Sequence, residues 1–343
     1  MHWVIVASYI HGPEDGEWLA PHVPGDRHTL EAVPSPAKHP GVRWDMRRAR
    51  LTPLAKWWDY WCHGRRAWRA RPGGIITVFP QLAAMIGIRQ SLSKRPPPVV
   101  AWAFNLGALQ RGWRRWLARG ALRRIDRFVV HSRAEVRSYS RWLGLPTERF
   151  VFVPLQQGRP TMPHDEELEK PYVLAMGTAH RDYETLFKAV APLGFRTIIV
   201  AGKRAVHGLD VPPCVEVRSG LSEKECDALT QRARLSVVPI RNHQTASGQI
   251  TVVRAMQLAC PVVATRCIGS EDYVEDGRTG LLVEPAAPEE LSRALRTLWQ
   301  RNDLRRRLGE AARQHALTHF SDEAAGVALG RILDEVADLH HRV

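Results

Sequence analysis

The sequence predicts an α/β protein built from two doubly wound domains that face a central cleft. The chain has 343 residues and 44% hydrophobic content, enough for two cores of ordinary size. Short apolar runs alternate with helical patterns in both halves, which is typical of parallel strands joined by helices. A polar segment containing Pro and Gly separates the halves. We therefore expect an N-terminal domain at 1–155, a linker at 156–170, a C-terminal domain at 171–320, and a helix at 321–343 that packs back on the first domain.

In the first half, apolar runs predict strands at 3–7, 75–79, 98–103, 128–132 and 150–155. Helical spacing predicts helices at 51–70 and 83–90, then a basic helix in which arginines recur at every fourth residue: Arg111, Arg115, Arg119, Arg123 and Arg127. Ser132 is placed to cap the next helix, which contains Glu135. The loop after the first strand holds Gly12 and Gly16. Since loops at the carboxyl ends of parallel strands collect ligands, we assign Gly12, Gly16 and, with them, His28 to the acceptor side.

The second half repeats the same alternation with shorter loops. Strands are predicted at 172–176, 197–201, 214–217, 235–239, 262–265 and 281–283. Helices are predicted to begin near Tyr183, Glu223, Ile250 and Pro288, and two more finish the chain. Ser222 and Glu225 have the spacing of a capping box, and Pro288 suits the first turn of its helix.

Charge is distributed unevenly along the chain. Residues 1–150 carry 25 Lys/Arg against 10 Asp/Glu, a net charge of +15, whereas residues 151–343 carry 24 against 25, a net charge of −1. Eleven of the twelve tryptophans also precede residue 151. The basic half is therefore expected to meet an anionic or amphipathic partner.

The helix predicted at 51–70 combines four tryptophans with basic residues, which leaves two interpretations open. Trp57, Trp58, Trp61 and Trp68 could form an aromatic core face with solvated Lys and Arg beside it. They could equally lie in a membrane interface, with the basic side chains on lipid phosphates.

The five cysteines are scattered and contain no C-x-x-C pair, which favours free thiols in a reducing cytoplasm. The first residues resemble no signal peptide, and the longest apolar stretch, 75–88, is too short for a bilayer and is interrupted by Pro80. We expect a cytoplasmic protein that attaches at most to the cytoplasmic face of a membrane.

Cationic and small residues follow three predicted strands of the second half. Gly177 with Arg181 follows the first of these strands, Gly202 with Lys203 follows the second, and Ser247-Gly248-Gln249 opens the helix at Ile250. A helix N-terminus with nearby cations suits a nucleotide diphosphate. The sequence contains no Walker P-loop, G-x-G-x-x-G, H-E-x-x-H or Ser-His-Asp order that would indicate another chemistry.

Residues 171–320 resemble the donor-binding domain of the retaining glycosyltransferases of family 4, which have the GT-B fold. The matching segments, in the family's order, are 173–177, 181–186, 237–239, 247–251, 255–256, 261–265 and 277–283. In the first half, 129–132 with Glu135, and 143–146 before Arg149-Phe150, resemble the end of the family's acceptor domain.

The resemblance implies transfer of a sugar from a nucleotide-diphosphate sugar to an acceptor glycan or glycolipid, with retention at the anomeric carbon. It implies no metal and no cofactor, because cations and the helix end stabilise the leaving diphosphate. By position, Arg181 matches the basic residue on the phosphates, and Lys203 is a helper by spacing. Gly177, Thr178 and the segment Ser247, Gly248, Gln249, Ile250 and Thr251 match the donor-binding loops.

Three positions depart from the family's pattern. Ala246 and Arg254 occupy positions where two glutamates are usual, the second of them on the ribose. Arg254 cannot accept a hydrogen bond from ribose, but it could pair with an extra phosphate or another carboxylate, and it is counted among the donor-binding residues. Thr178 replaces a basic residue, and Phe104 or Asn105 stands in place of a histidine, so Asn105 is the catalytic candidate of the first half.

Two alternatives to a transferase remain open. Ala246 and Arg254 are compatible with a catalytically silent GT-B partner protein. The net charge of +15 is compatible with a nucleic-acid-binding protein, although no known nucleic-acid module is visible and the second half would be left unexplained. Nucleic acid is therefore not the expected partner.

Overall fold

A computed structural model describes residues 1–11, 18–36, 54–107, 109–160, 164–241 and 246–341. These residues form two compact units. The first unit contains the described residues of 1–36, 54–154 and 322–341, and the second contains those of 155–321.

The first unit contains a parallel six-stranded sheet with strand order β2-β1-β3-β4-β5-β6. Its strands are β1 (His2–Val6), β2 (Thr29–Ala32), β3 (Gly74–Val78), β4 (Val99–Trp102), β5 (Arg127–Val130) and β6 (Phe150–Phe152). Its helices include α1 (Leu54–Arg69), α2 (Pro80–Leu92), α3 (Trp113–Leu122) and α4 (Arg133–Leu143). The inner strands β3 and β4 are buried along their whole length, because helices cover both faces of a doubly wound sheet.

The second unit contains another parallel sheet of six strands, in the order β12-β11-β10-β7-β8-β9. Its strands are β7 (Val173–Met176), β8 (Thr197–Val200), β9 (Val215–Arg218), β10 (Leu235–Val238), β11 (Val262–Thr265) and β12 (Leu281–Val283). Its helices are α5 (Tyr183–Val190), α6 (Glu223–Arg232), α7 (Gln249–Gln257), α8 (Pro288–Gln300) and α9 (Asn302–His319). Counted within the unit, this is the Rossmann order, and its direction reverses between β7 and β10. The prediction of two doubly wound α/β domains is confirmed.

The final helix, α10 (Asp322–His341), belongs to the first unit. Its apolar residues Leu329, Leu333 and Val336 are buried in a cluster with Trp3 and Ile5 of β1. The chain therefore leaves the first unit after residue 154 and returns to it at residue 322.

The segment expected to link the domains lies on the second unit where it is described. Gln157 donates its backbone N–H to the carbonyl of Phe320 at 3.0 Å. The carboxylate of Glu166 pairs with Arg234 at 2.5 Å and with Arg305 at 3.4 Å. These contacts hold the start of the segment against the end of α9, and its later part against the first turn of α9 and the residue that precedes β10.

The basic helix predicted from the fourfold spacing of arginines is much shorter than expected. Gly112, with φ of +64°, precedes α3, so Arg111 lies outside the helix. A turn in which Ile125 N–H donates to the Leu122 carbonyl ends it, and Arg127 is the first residue of β5. The prediction of one helix from Arg111 to Arg127 is wrong, because the buried Ile125 belongs to the turn that enters the sheet.

Candidate functional site

Two loops of the second unit meet at the point where the strand order reverses. Backbone hydrogen bonds connect the loop after β7 to the segment after β10: Asp182 N–H donates to the Pro239 carbonyl at 3.0 Å, and Arg241 N–H donates to the His180 carbonyl at 2.8 Å. The carboxyl ends of parallel strands at such a reversal are where doubly wound sheets bind ligands. The two loops therefore form one candidate site.

Arg181 is the central cation of this site. Its Nε donates to the Met176 carbonyl at 2.8 Å, its Nη1 to the Ala179 carbonyl at 3.0 Å, and its Nη2 to Thr251 Oγ1 at 3.1 Å. All three acceptors are neutral, and among the described residues no carboxylate lies within salt-bridge distance of the guanidinium. The side chain is partly exposed, yet the surrounding protein desolvates it enough to lower the pKa of the guanidinium.

A desolvated cation without a counter-charge is unfavourable unless an anion joins it. The hydrogen bonds to carbonyls also hold the guanidinium plane in one orientation, which suits recognition of a phosphate by two of its oxygens. Arg181 is therefore arranged to bind an anionic group.

Glycines at two positions allow the backbone to approach Arg181. Gly177 has φ of +117°, and a Cβ there would collide with the Arg181 guanidinium. Gly248 has φ of +85°, and its Cβ would lie 2.8 Å from Val238 Cγ1 and 3.7 Å from Arg181 Nη1. Tyr183, which the sequence marked only as the start of a helix, donates its hydroxyl to the Gly177 carbonyl at 2.5 Å and holds this loop against α5.

The N-terminus of α7 supplies a second positive element. Gly248 is the N-cap and has no side chain to accept the first-turn N–H groups. The first N–H groups of any α-helix point away from the helix body, so α7 presents its positive end here. Thr251 also accepts the hydrogen bond from Arg181, which joins the helix end to the cation.

Two buried hydroxyls line the same loops. Thr178 Oγ1 and Ser247 Oγ are both inaccessible to solvent, and within the described part of the chain neither has a hydrogen-bond partner. An unsatisfied buried hydroxyl destabilises a fold by about 1–3 kcal/mol. Such atoms are expected where a ligand supplies the missing partner.

The remaining predicted donor residues differ in placement. Lys203 is exposed and follows β8, the neighbour of β7, so it lies at the same sheet edge. Gln249 is buried, and Ile250, which the helical pattern placed on the apolar face, is 59% exposed. Ile250 lies on the side of α7 opposite the buried Val252, which explains its exposure.

Arg254 is held by protein groups. Its Nε pairs with Asp227 Oδ1 at 3.1 Å, its Nη1 donates to the Gly158 carbonyl at 3.0 Å, and its Nη2 lies 3.3 Å from Gln157 Oε1 and 3.5 Å from Glu223. The side chain is only 11% exposed. The sequence allowed Arg254 to pair either with an extra phosphate or with a carboxylate, and in the structure it pairs with the carboxylates of Asp227 and Glu223. Its guanidinium ties α7 to α6 and to the segment at 157–158, so we replace its donor-binding role with a structural one.

Two predicted site residues of the first unit are described, Asn105 and His28, and they lie at opposite ends of the strands. Asn105 is exposed after β4, and its Oδ1 accepts the Gly107 N–H at 2.8 Å. Gly12 and Gly16 lie outside the described residues.

His28 immediately precedes β2, at the amino ends of the strands, whereas doubly wound sheets bind ligands at the carboxyl ends. It is buried, accepting from Trp3 Nε1 at 3.1 Å and lying 3.1 Å from Asp334 of α10, and burial lowers its pKa. We therefore interpret His28 as a packing residue rather than an acceptor-side residue.

Residues 170–301 match the family described as Glycosyl transferases group 1. The D-inositol 3-phosphate glycosyltransferase of Corynebacterium urealyticum is 27% identical over 216 residues, which are 59% of this chain and 47% of that protein. The lipopolysaccharide core biosynthesis glycosyltransferase LpsE of Rhizobium meliloti is 26% identical over 166 residues, 47% of this chain and 48% of that protein. The chain spans about half the length of these curated relatives. The resemblance of the second half to glycosyltransferases is confirmed.

Solved structures extend the likeness to the whole chain at the level of fold. Sucrose-phosphate synthase from Thermosynechococcus elongatus superposes with a TM-score of 0.74 at 17% identity, covering 98% of this chain and 99% of that one. HepE from Anabaena, solved in complex with UDP-glucose, gives a TM-score of 0.65 at 13% identity over 100% of both chains. The GT-B fold is confirmed.

The described residues offer neither a membrane-spanning helix nor a metal-binding cluster. None of their helices combines the length and apolar character needed to cross a bilayer. No group of three or more His, Cys, Asp or Glu side chains in these ranges is arranged to hold a metal ion.

Proposed function

We propose that this protein is a retaining glycosyltransferase that moves a hexosyl group from a nucleotide-diphosphate sugar to an acceptor. The observation that carries the proposal is Arg181, a desolvated cation with neutral hydrogen-bond partners beside the N-terminus of α7. The match of residues 170–301 to glycosyltransferases, and the UDP-glucose complex of the similarly folded HepE, support the same assignment.

In the proposed reaction, the bond between the anomeric carbon and the diphosphate oxygen breaks, and the acceptor oxygen forms the new bond on the same face. The acceptor proton moves to the departing phosphate oxygen. Arg181 and the first-turn N–H groups of α7 stabilise the negative charge that develops on the diphosphate. Because these groups are already oriented before the donor binds, little reorganisation is needed during transfer, and we propose that no metal or cofactor takes part.

The proposed acceptor is a glycan precursor or a glycolipid. Two comparison proteins act in lipopolysaccharide synthesis by name, LpsE of Rhizobium meliloti and the outer core galactosyltransferase WaaB. The basic, tryptophan-rich first unit is compatible with an acceptor held at an anionic membrane surface. All five cysteines are free thiols, which supports a reducing, cytoplasmic location for the reaction.

A second candidate function is that of a catalytically silent partner protein with the same fold. Arg254 favours it, because its guanidinium is held by Asp227 and by the segment at 157–158 where the family has a glutamate. Ala246 favours it too, since a methyl group can neither accept nor donate a proton near the sugar.

Thermal unfolding in the presence of UDP, GDP, ADP and dTDP tests the proposal. At least one nucleotide should raise Tm by several degrees at saturating concentration, because a ligand at about 100 times its Kd stabilises by ~2.7 kcal/mol. Arg181→Ala should fold but lose this shift, whereas Arg306→Ala, at an exposed arginine of α9, should keep it.

Turnover separates the two candidate functions. Release of the nucleotide from a panel of nucleotide sugars, with membrane extract as acceptor, should fall by at least ~100-fold in Arg181→Ala. A nucleotide shift without turnover on any sugar would favour the silent partner. An unchanged rate in Arg181→Ala would remove Arg181 from the site, and no shift with any nucleotide would overturn donor binding.

A further inference from the structure

The outward face of α3 is apolar, although it points into solvent. Trp113 is 67% exposed, Trp116 is 71% exposed and Leu117 is 49% exposed. Large side chains of this kind are usually buried, and a cluster of them on a surface marks a site of interaction. We call these three residues the α3 face.

Helical geometry places the three side chains together. Residues three and four positions apart lie on the same side of a helix, so Trp113 is adjacent to both Trp116 and Leu117. Gly120, one turn further on, continues this side without adding a side chain. The buried Leu122 lies on the opposite side of the helix and joins the core of the first unit. The helix α3 therefore has two apolar sides, one buried against the core and one exposed to solvent.

Basic residues surround the α3 face. The segment from 113 to 124 contains five arginines and no acidic residue: Arg114, Arg115, Arg119, Arg123 and Arg124. Three of them bind neighbouring carbonyls: Arg115 Nε donates to Trp142 at 2.7 Å, Arg119 Nε donates to Leu143 at 2.6 Å, and Arg124 Nη1 donates to Gln90 at 2.8 Å. The hydrogen bonds of Arg115 and Arg119 hold α3 against α4, so the α3 face keeps one orientation. Arg114 and Arg123 are exposed beside the α3 face.

The tryptophans of α1 have a different role. Trp68 packs against the core, Trp61 lies under the guanidinium of Arg89 at 3.9 Å, and Trp57 contacts Tyr60. In that helix Trp58 is the large aromatic residue that is mostly exposed, at 66%. The interpretation of α1 as an aromatic core face is therefore favoured, and the interfacial properties belong to α3.

We propose that the α3 face inserts into the headgroup region of an anionic lipid bilayer. Trp113, Trp116 and Leu117 enter the boundary between headgroups and acyl chains, and the exposed Arg114 and Arg123 lie on lipid phosphates. Tryptophan and leucine on one side of a helix with arginine beside them is the composition of helices that lie in a membrane interface. Each basic residue near an anionic leaflet adds roughly 1 kcal/mol, so the charge strengthens the apolar contact.

Charge argues against the other occupants of this surface. A second copy of the chain would bring five more arginines against the first five, and like charges at an interface are unfavourable. Nucleic acid would use the arginines, but it would leave Leu117 without an apolar environment. The proposal does not depend on sugar transfer, because lipid binding is measurable without donor or turnover.

Co-sedimentation with vesicles tests the proposal on the full chain. Wild-type protein should sediment with vesicles of phosphatidylcholine and phosphatidylglycerol at 3:1, and much less with phosphatidylcholine alone. Trp113→Ser/Trp116→Ser should bind the anionic vesicles at least ~10-fold more weakly. Trp58→Ser, the matched control at an equally exposed tryptophan, should bind like wild type.

Circular dichroism and Tm check that the variants are folded, which is expected because both replaced side chains are mostly exposed. Equal loss of binding in Trp58→Ser would overturn the assignment to α3. Unchanged vesicle binding in the double variant would overturn the proposal, as would a stable dimer in solution that the double variant abolishes. Binding to duplex DNA but not to anionic vesicles at the same salt would also overturn it.

Discussion

At the scale of single residues, the candidate site combines a cation and buried hydroxyls that, among the described residues, have no counter-charge and no hydrogen-bond partner respectively. Arg181 donates to neutral acceptors, and Ser247 Oγ and Thr178 Oγ1 are buried without a described partner. Each of these features destabilises the unliganded protein, and each would be relieved by phosphate or sugar oxygens. Binding sites commonly retain such local instability, because polar groups that are already hydrogen-bonded within the protein cannot form new hydrogen bonds to a ligand.

Ser247→Ala should weaken nucleotide binding without destabilising the free protein. The substitution removes a buried oxygen that has no described partner, so the free energy of unfolding should stay unchanged or rise by up to about 1 kcal/mol. The nucleotide-induced shift in Tm should decrease. Ser236→Ala is the matched control, since Ser236 Oγ is equally buried and unsatisfied but lies within β10. A decrease of the nucleotide shift in both variants would contradict a specific role for Ser247.

At the scale of secondary-structure elements, the start of α7 determines the geometry of the site. Gly248 turns the chain in the left-handed region and brings its backbone against Val238 and Arg181. Further along the same helix, Arg254 ties α7 to Asp227 of α6. The start of α7 thus belongs to the candidate site, whereas the middle of the helix packs against α6.

Gly248→Ala should both destabilise the second unit and weaken nucleotide binding. A residue with a Cβ is strained by about 1–2 kcal/mol at φ of +85°, and its methyl group would lie 2.8 Å from Val238 Cγ1. Gly277→Ala is the control that measures backbone strain alone, since φ is +74° there but an added Cβ would meet no atom within 4 Å. Urea unfolding should show a larger loss for Gly248→Ala. Equal losses would mean that the close approach at Val238 is relieved by movement.

Arg254→Glu should destabilise the protein rather than restore a family-like site. The new carboxylate would face Asp227 and Glu223, and it would also lose the hydrogen bond to the Gly158 carbonyl. We expect a loss of about 2–4 kcal/mol in urea unfolding. Burial already raises the pKa of Asp227, so Asp227→Asn should recover part of the loss in the double variant. No loss in Arg254→Glu would mean that Arg254 does not hold α6 and α7 together.

At the scale of the whole molecule, the two units share a fold class but differ in surface chemistry. The first half carries a net charge of +15 and the second a net charge of −1. α10 closes the first unit, where Asp334 pairs with Arg27 at 2.7 Å and lies 3.1 Å from His28. Buried histidines in this unit make its stability depend on pH.

Stability should fall as the pH is lowered through the range from about 6.5 to 4. Burial lowers the pKa of His131 to about 4, whereas the unfolded chain has the ordinary value of 6.5. Between these values the unfolded state binds the proton and the folded state does not, so acid favours unfolding by about 3 kcal/mol in total. Burial lowers the pKa of His28 and His63 as well, which acts in the same direction.

Urea unfolding at pH 7 and pH 5 measures this dependence. His131→Gln, which keeps a hydrogen-bond donor for the Val153 carbonyl, should lose less stability over that interval than wild type. His207→Asn, at an exposed histidine, should follow the wild-type curve. An equal pH dependence in wild type and His131→Gln would show that His131 is not the group that titrates.

The sequence by itself determined the fold class and the elements that carry it. Runs such as Val262–Thr265, which is apolar at three of its four positions and wholly buried, can satisfy both faces only inside a parallel sheet covered by helices. The positions of Arg181, Ser247 and Gly248 between a strand and the helix that follows it were also predictable, because small residues and a cation at strand ends are local features. The Ser222–Glu225 capping box and Pro288 in the first turn of α8 were predictable for the same reason.

Only the tertiary structure decided which of these residues act together. Strand order brings the loops after β7 and β10 side by side in the second unit. In the first unit, the start of β2 places His28 at the amino ends of the strands. The fold also joins Arg254 to Asp227, which lies 27 positions earlier in the chain. The exposure of Trp113 and Trp116, in contrast to the packing of Trp61 and Trp68, likewise depends on what lies beside each helix. Spacing along the chain specifies which side of a helix a residue occupies, but the partners on that side come from distant segments, and a single sequence does not encode their positions locally.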